Sequence, residues 1–272
     1  MGNEKVFMLD ERSKGLRRLL VKMVEAGGRG HIGPAASLIE LLRVLYDSWL
    51  QFRPDEPKWL GRDRFVLSKG HGCLALYAIL ADKGFFPPEE LLSFCNSNSR
   101  LGGHPEIKVP GVEASTGALG HGLPIGVGLA LAGKIRRQKY RVAVVVGDGE
   151  TDEGSIWEAA MSAAKHRLSN LTVFIDYNKM QSYGPTSEVV ELEPLADKWL
   201  SFGFEVGEVD GHDVNALKRL VSSLPLNVSK PSVVICHTIK GKGFPIAEGR
   251  AEWHHKSGLS DAEISTLYES LK

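Results

Sequence analysis

The chain has 272 residues, 43% hydrophobic and 24% charged, an ordinary balance for a globular protein. Lysine plus arginine equals aspartate plus glutamate at 33 each, so no net field points to nucleic acid or to an anionic membrane. No apolar stretch approaches the roughly 20 residues of a membrane helix, and Met1–Val6 is expected to carry neither a secretory nor a myristoylation signal.

Taken in order, Asp10 to Ala26 reads as an amphipathic helix with Leu16, Leu19, Leu20, Met23 and Val24 on one face, ended by Gly27-Gly28. His31 follows between glycines, and Ser37 is expected to cap a helix over Leu38–Leu50. Arg64–Ser68 reads as a short strand. It breaks at Lys69-Gly70-His71-Gly72 into a helix over Cys73–Ala81. Pro87-Pro88 marks a loop with proline at a helix start. His104 sits in Gly103-His104-Pro105, within a segment of no strong periodicity. Gly117 to Gly122 leads into a small-residue helix over Leu123–Ala132.

Val142–Val146 and Leu171–Ile175 are short, β-branched and almost wholly apolar, the signature of strands buried on both faces. Between them, Ser155–Ala164 is rich in helix formers, which completes a βαβ unit. Helices over Glu193–Gly203 and Val214–Leu224, strands over Glu205–Asp210 and Val233–His237, and a short helix from Ser260 complete the pattern. Strands alternating with helices imply an α/β fold, a mostly parallel sheet with helices on both faces. No repeat or linker divides the chain. It reads as one domain over 1–272, with an N-terminal helical extension to about residue 63. Cys73, Cys95 and Cys236 read as free structural thiols, which fits a reducing, cytoplasmic setting.

The chemistry concentrates where the central strands end. Asp148 follows the first within Gly147-Asp148-Gly149, and Asn178 follows the second within Asn178-Lys179-Met180. Ligands in open α/β sheets bind beyond the carboxyl ends of the strands. Both side chains offer hard oxygens, which suit Mg²⁺ or Ca²⁺. The glycines and the helix start beyond them suit a phosphate. An oxygen-ligated divalent ion beside a diphosphate is the physical reading.

This spacing resembles the metal motif of thiamine diphosphate enzymes. The flanking pieces resemble transketolase in particular: Gly30-His31-Ile32-Gly33, Asp63 to Gly72, Gly103-His104-Pro105-Glu106, Ser115 to Gly122, Gly211-His212-Asp213, Lys240-Gly241-Lys242-Gly243 and Trp253-His254, in that order. The resemblance covers nearly the whole chain and implies the thiamine diphosphate-binding fold of a diphosphate-binding domain. It implies Asp148, Asn178 and the Met180 carbonyl as ligands of Mg²⁺, with Ca²⁺ or Mn²⁺ as substitutes. It implies His71, His254, Gly117, Leu119 and Gly149 at the cofactor, and Glu153 as a link between paired cofactor sites. His31, His104 and His254 are implied in proton traffic with the sugar. His166, His212 and His237 read as structural, and His121 and His255 depart from the residues usual there.

The family also needs a pyrimidine-binding domain, whose glutamate activates the cofactor, and no second Gly-rich α/β unit remains here to supply it. The expectation is the N-terminal subunit of a split transketolase. Such a chain transfers a two-carbon ketol unit between sugars and is active only with a separate C-terminal subunit, as a two-plus-two heterotetramer. Two rivals stand beside it. The α chain of a 2-oxo acid dehydrogenase explains Gly-Asp-Gly and Asn178 but not the histidine motifs. A non-catalytic thiamine diphosphate-binding module predicts cofactor binding without turnover.

Overall fold

The fold is taken from a computed structural model that describes residues 9–272. Met1–Val6, expected to carry no targeting signal, lies outside the described residues. In chain order the helices are α1 Glu11–Gly27, α2 Ile32–Ala36, α3 Ile39–Val44, α4 Cys73–Asp82, α5 Gly122–Ile135, α6 Gly154–Lys165, α7 Thr186–Val189, α8 Leu195–Ser201, α9 Val214–Ser222 and α10 Asp261–Glu269. The strands are β1 Arg29–Gly30, β2 Arg64–Leu67, β3 Val142–Gly147, β4 Leu171–Tyr177, β5 Glu205–Asp210, β6 Ser232–His237 and β7 Lys256–Ser257.

Five strands form one parallel sheet in the order β2-β3-β4-β6-β5, and β1 pairs antiparallel with β7 in a separate two-stranded ribbon. The continuous apolar strands serve two faces at once. Ala143, Val145, Phe174 and Val234 pack with α1, α3 and α4, whereas Val144, Val146, Val173 and Ile235 pack with α5, α6 and α8. The helices before residue 63 thus cover one face of the sheet. Register is strict, because a one-residue slip would exchange the two faces.

The helix boundaries follow local chemistry. Asp10 lies outside α1 as its N-cap and accepts from the Ser13 N–H at 2.8 Å. Gly28 ends the helix with φ +63°, a left-handed conformation suited to glycine. The helix expected over Leu38–Leu50 is shorter and less regular. It runs as α3 and then widens into a π-turn over Leu45–Trp49. Ser37 does not cap it. Its hydroxyl turns inward and donates to Asp176 Oδ2 at 2.6 Å. Pro88–Ser93 forms a 3-10 turn. Another, over Gly149–Asp152, follows Asp148 directly and leads into α6, which begins at Gly154, one residue before the expected Ser155.

Candidate active site

Loops after β2, β3, β4 and β6, four adjacent strands, converge at the carboxyl edge of the sheet around a cavity of about 260 Å³. They deliver Lys69 and His71, Asp148 and Gly149, Asn178 and Met180, and Lys240 in turn. His31, Gly117, Leu119 and His254 complete this part of the wall. Of the residues that the resemblance implies at the metal, the cofactor or the sugar, Glu153 and His104 lie off the lining. Glu153 is exposed at the start of α6, makes no capping hydrogen bond and packs against Gly120. His104 is exposed at the rim, with its ring 5.9 Å from that of His31.

Asp148 is 4% exposed. Its Oδ1 accepts from the Gly149 N–H at 2.8 Å and its Oδ2 from the Lys179 N–H at 2.6 Å. It forms no salt bridge among the described residues. Burial, then the neighbouring Asp176, pushes its carboxyl up to about 6. Asn178 Oδ1 accepts from the Met180 N–H at 3.1 Å, and the Met180 carbonyl accepts from Lys240 Nζ at 3.2 Å. Each carbonyl-type oxygen keeps a second lone pair. Among the described residues no group of three histidine, cysteine or acidic side chains is set to hold a metal. The oxygen set at this edge instead combines one carboxylate, one amide and one backbone carbonyl. A buried carboxylate without a cation, beside two such oxygens, fits a hard divalent ion. The Gly147 and Gly149 N–H groups, which the sequence offers to a phosphate, are taken up here by Glu150 Oε2 and Asp148 Oδ1.

Opposite this set the imidazoles gather. His31 is the hub, with ring centroids 4.6 Å from His255, 5.5 Å from His254 and 5.6 Å from His71. His71 and His254 stack at 5.1 Å. Burial, with the nearby His255 and His104 adding to it, pushes His31 down to about 3. Burial and then Lys240 do the same for His254. His71 falls well below the usual value through burial and Lys69, and His104 falls through burial and His255. These rings are neutral at pH 7, so each carries one N–H donor and one acceptor nitrogen.

Several wall residues carry chemistry that the sequence reading passed over. Lys240 Nζ donates to the Gln181 carbonyl at 2.9 Å as well as to Met180, and lies 2.8 Å from His254 Nδ1. Burial, with Lys69 nearby, pushes its ammonium down to about 8. Lys69 is buried in a salt bridge with Asp176. Asp176 also accepts from Ser37, from Thr238 and from Asn178 Nδ2 at 3.2 Å, the last bond orienting the Asn178 amide. Glu150 is buried and accepts from the Gly120 N–H at 2.9 Å and from the Ser68 hydroxyl, joining three loops. A signal for both lysines was available: each lies within three residues of a strand's carboxyl end, in a glycine-containing turn. His255, for which no role was read, stands closest to His31. His121 turns back to the Leu119 carbonyl at 2.9 Å. His166 and His237 lie off the cavity wall.

A parallel α/β sheet with a cavity at the carboxyl edge shared by four strands is the architecture of a ligand-binding α/β domain. Residues 10–271 match the family described as "Transketolase, thiamine diphosphate binding domain", and the chain belongs to that family. It is 44% identical to an apulose-4-phosphate transketolase subunit from Phocaeicola vulgatus, an alignment covering 94% of this chain and 90% of that one. It is 41% identical to the 6-deoxy-6-sulfo-D-fructose transketolase subunit SqwG of Clostridium sp. strain MSTE9, covering 93% and 92%. Longer relatives match over part of their length. Human transketolase is 32% identical, with 99% of this chain and 43% of that protein covered. The transketolase structure from Campylobacter jejuni superposes with a TM-score of 0.89 at 32% identity, over 96% of this chain and 42% of that one. The chain thus spans about two-fifths of the solved transketolases it resembles.

Proposed function

We propose that this chain is the diphosphate-binding subunit of a two-chain transketolase. It moves a two-carbon ketol unit from a ketose or ketose phosphate to an aldose or aldose phosphate, with thiamine diphosphate and Mg²⁺. One observation carries the reading: a single cavity joins the Asp148, Asn178 and Met180 oxygens to the histidine cluster around His31. In this reading those three oxygens hold Mg²⁺, with Ca²⁺ or Mn²⁺ as substitutes. His71, His254, Gly117, Leu119 and Gly149 bound the cofactor, and Lys240 adds a cation beside the diphosphate.

Thiamine diphosphate, when bound, supplies the chemistry that breaks and reforms a carbon–carbon bond next to a carbonyl. This chain's residues handle oxygens and protons. His31, His104 and His254 are neutral, so they act as hydrogen-bond donors to sugar carbonyl and hydroxyl oxygens as charge develops there. An imidazolium would repel the metal and Lys240. In this reading Glu153, exposed and outside the cavity, meets another subunit and couples paired sites.

The proposed partner is a separate chain carrying the pyrimidine-binding domain, in a two-plus-two assembly. Coverage supports it: the chain matches most of each relative named as a subunit but only 42–43% of full-length transketolases. A cytoplasmic location accords with the three unpaired cysteines.

The test is to co-express this chain with the polypeptide encoded beside it and to measure ketol transfer from xylulose 5-phosphate to ribose 5-phosphate. Apulose 4-phosphate and 6-deoxy-6-sulfo-D-fructose, named for two relatives, complete the donor panel. Transfer by the pair and none by either chain alone is the expected result. Transfer by this chain alone would overturn the two-chain reading. A complex that turns over none of these sugars would overturn the proposed substrate class.

A further inference from the structure

Arg17, Glu40 and His212 are buried together, 0%, 1% and 8% exposed, and none of them lines the cavity. Arg17 grips Glu40 through two bonds, Nη1 to Oε1 at 2.6 Å and Nη2 to Oε2 at 2.9 Å. Glu40 Oε2 also lies 3.0 Å from His212 Nδ1. On the other side of the ring, His212 Nε2 accepts the Ile239 N–H at 2.8 Å. A nitrogen that accepts carries no proton, so the His212 proton sits on Nδ1 and is donated to Glu40. Arg17 reaches the same turn from its other edge, donating Nε to the Lys242 carbonyl at 2.7 Å.

The network therefore holds the residues flanking Lys240, and that lysine sends its ammonium into the cavity. Two backbone bonds, Gly241 N–H to the Gly33 carbonyl at 3.0 Å and Gly249 N–H to the Lys240 carbonyl at 2.9 Å, fix the turn between the grips. Stability alone does not account for three buried polar side chains. A well-packed apolar trio of similar volume is commonly as stable as a buried ion-pair network. Only directional donors and acceptors set the position of the Ile239 N–H and the Lys242 carbonyl. The same logic governs outer residues that orient metal and cofactor ligands elsewhere.

We propose that Arg17, Glu40 and His212 are positioning residues whose hydrogen-bonded chain fixes the Thr238–Lys242 turn and so sets where Lys240 meets His254 and the Met180 carbonyl. The proposal rests on the reading of this cavity as the cofactor site. Its test uses the full chain without cofactor, so failure of cofactor binding or of ketol transfer leaves the signals below unchanged.

The test is nitrogen-15 NMR of the histidine-labelled chain, with signals assigned through His212→Gln and His254→Gln. In the wild type, His212 is expected protonated on Nδ1. His254 is expected in the opposite tautomer, protonated on Nε2, because its Nδ1 faces Lys240. Lys240→Met should replace the His254 signal by that of a mixed tautomer. His212→Phe removes both bonds of the ring and should do the same. His212→Gln, whose amide can donate to Glu40 and accept from Ile239, should restore the wild-type His254 signal. An unchanged His254 signal in His212→Phe would overturn the proposal. If that variant does not fold, wild-type His212 decides: protonation on Nε2 rather than Nδ1 would overturn it as well.

Discussion

Replacing Lys69 by methionine removes the only salt-bridge partner of Asp176 among the described residues while keeping most of the side chain's volume. The two side chains are 2% and 0% exposed, so water cannot take the place of the lost partner. Breaking a buried pair on one side costs about 3–5 kcal/mol, because the remaining charge is left uncompensated. At roughly 2–4 °C per kcal/mol for a chain of this size, Tm should fall by roughly 6–20 °C. The pH dependence follows from Asp176. Burial raises its pKa, but the Lys69 ammonium and the Ser37 and Thr238 hydroxyls outweigh that and hold it below the usual 3.8. Wild-type stabilisation from this group is therefore complete above 3.8 and is lost as pH falls further. In the variant the unpaired carboxyl takes up a proton at higher pH, which relieves it. The gap between the two proteins should narrow on acidification from both causes. Urea denaturation across pH reads it, with Lys69→Met/Asp176→Asn costing less than the sum of the single changes. A loss below about 1 kcal/mol, the size found for exposed pairs, would refute the reasoning.

Gly126→Ala should destabilise the fold by about 1–3 kcal/mol, since its Cβ would lie 2.3 Å from Val144 Cγ2 where α5 meets the sheet; a neutral result in urea denaturation would show that α5 can shift. Asp213→Ala removes a cap that accepts from the Asn215 and Ala216 N–H groups, both at 2.9 Å, and should cost about 0.5–2 kcal/mol by the same assay. His31 and His254 have folded values of about 3 against 6.5 unfolded. They should show no imidazole titration by NMR between pH 5 and 9. By linkage, they should draw stability down as pH falls below 6.5, because the unfolded chain binds those protons first.

The architecture was legible where a run served one purpose. Val142–Val146 and Leu171–Ile175 are apolar at every position because helices cover both faces, and their pairing as parallel neighbours follows. The positions of Asp148 and Asn178 at strand ends were equally readable, and the structure brings them to one cavity. The lysines' places near strand ends were readable too, but their burial was not. A lysine in a turn reads as a solvated charge, and only tertiary packing buries Lys69 against Asp176, 107 residues away. Ser37 misled for a related reason. A serine before an apolar run suits an N-cap, but here a buried carboxylate competes for its hydroxyl and wins. The π-turn after α3 has no signature in the apolar pattern, which continues unbroken through Trp49. The histidine cluster needed the fold as well. His31, His71 and His254 come from three separate loops, and composition says nothing of their meeting.

The most direct test of the central claim is equilibrium binding of thiamine diphosphate to the co-expressed pair of chains, with Mg²⁺ and with a chelator, for wild type and Asp148→Ala. The account predicts binding that depends on the metal and is weakened by roughly 100-fold or more in the variant, since even residues one step removed from a metal change affinity 10–100-fold. Binding that ignores the chelator, or an Asp148→Ala pair that binds as wild type does, would contradict it.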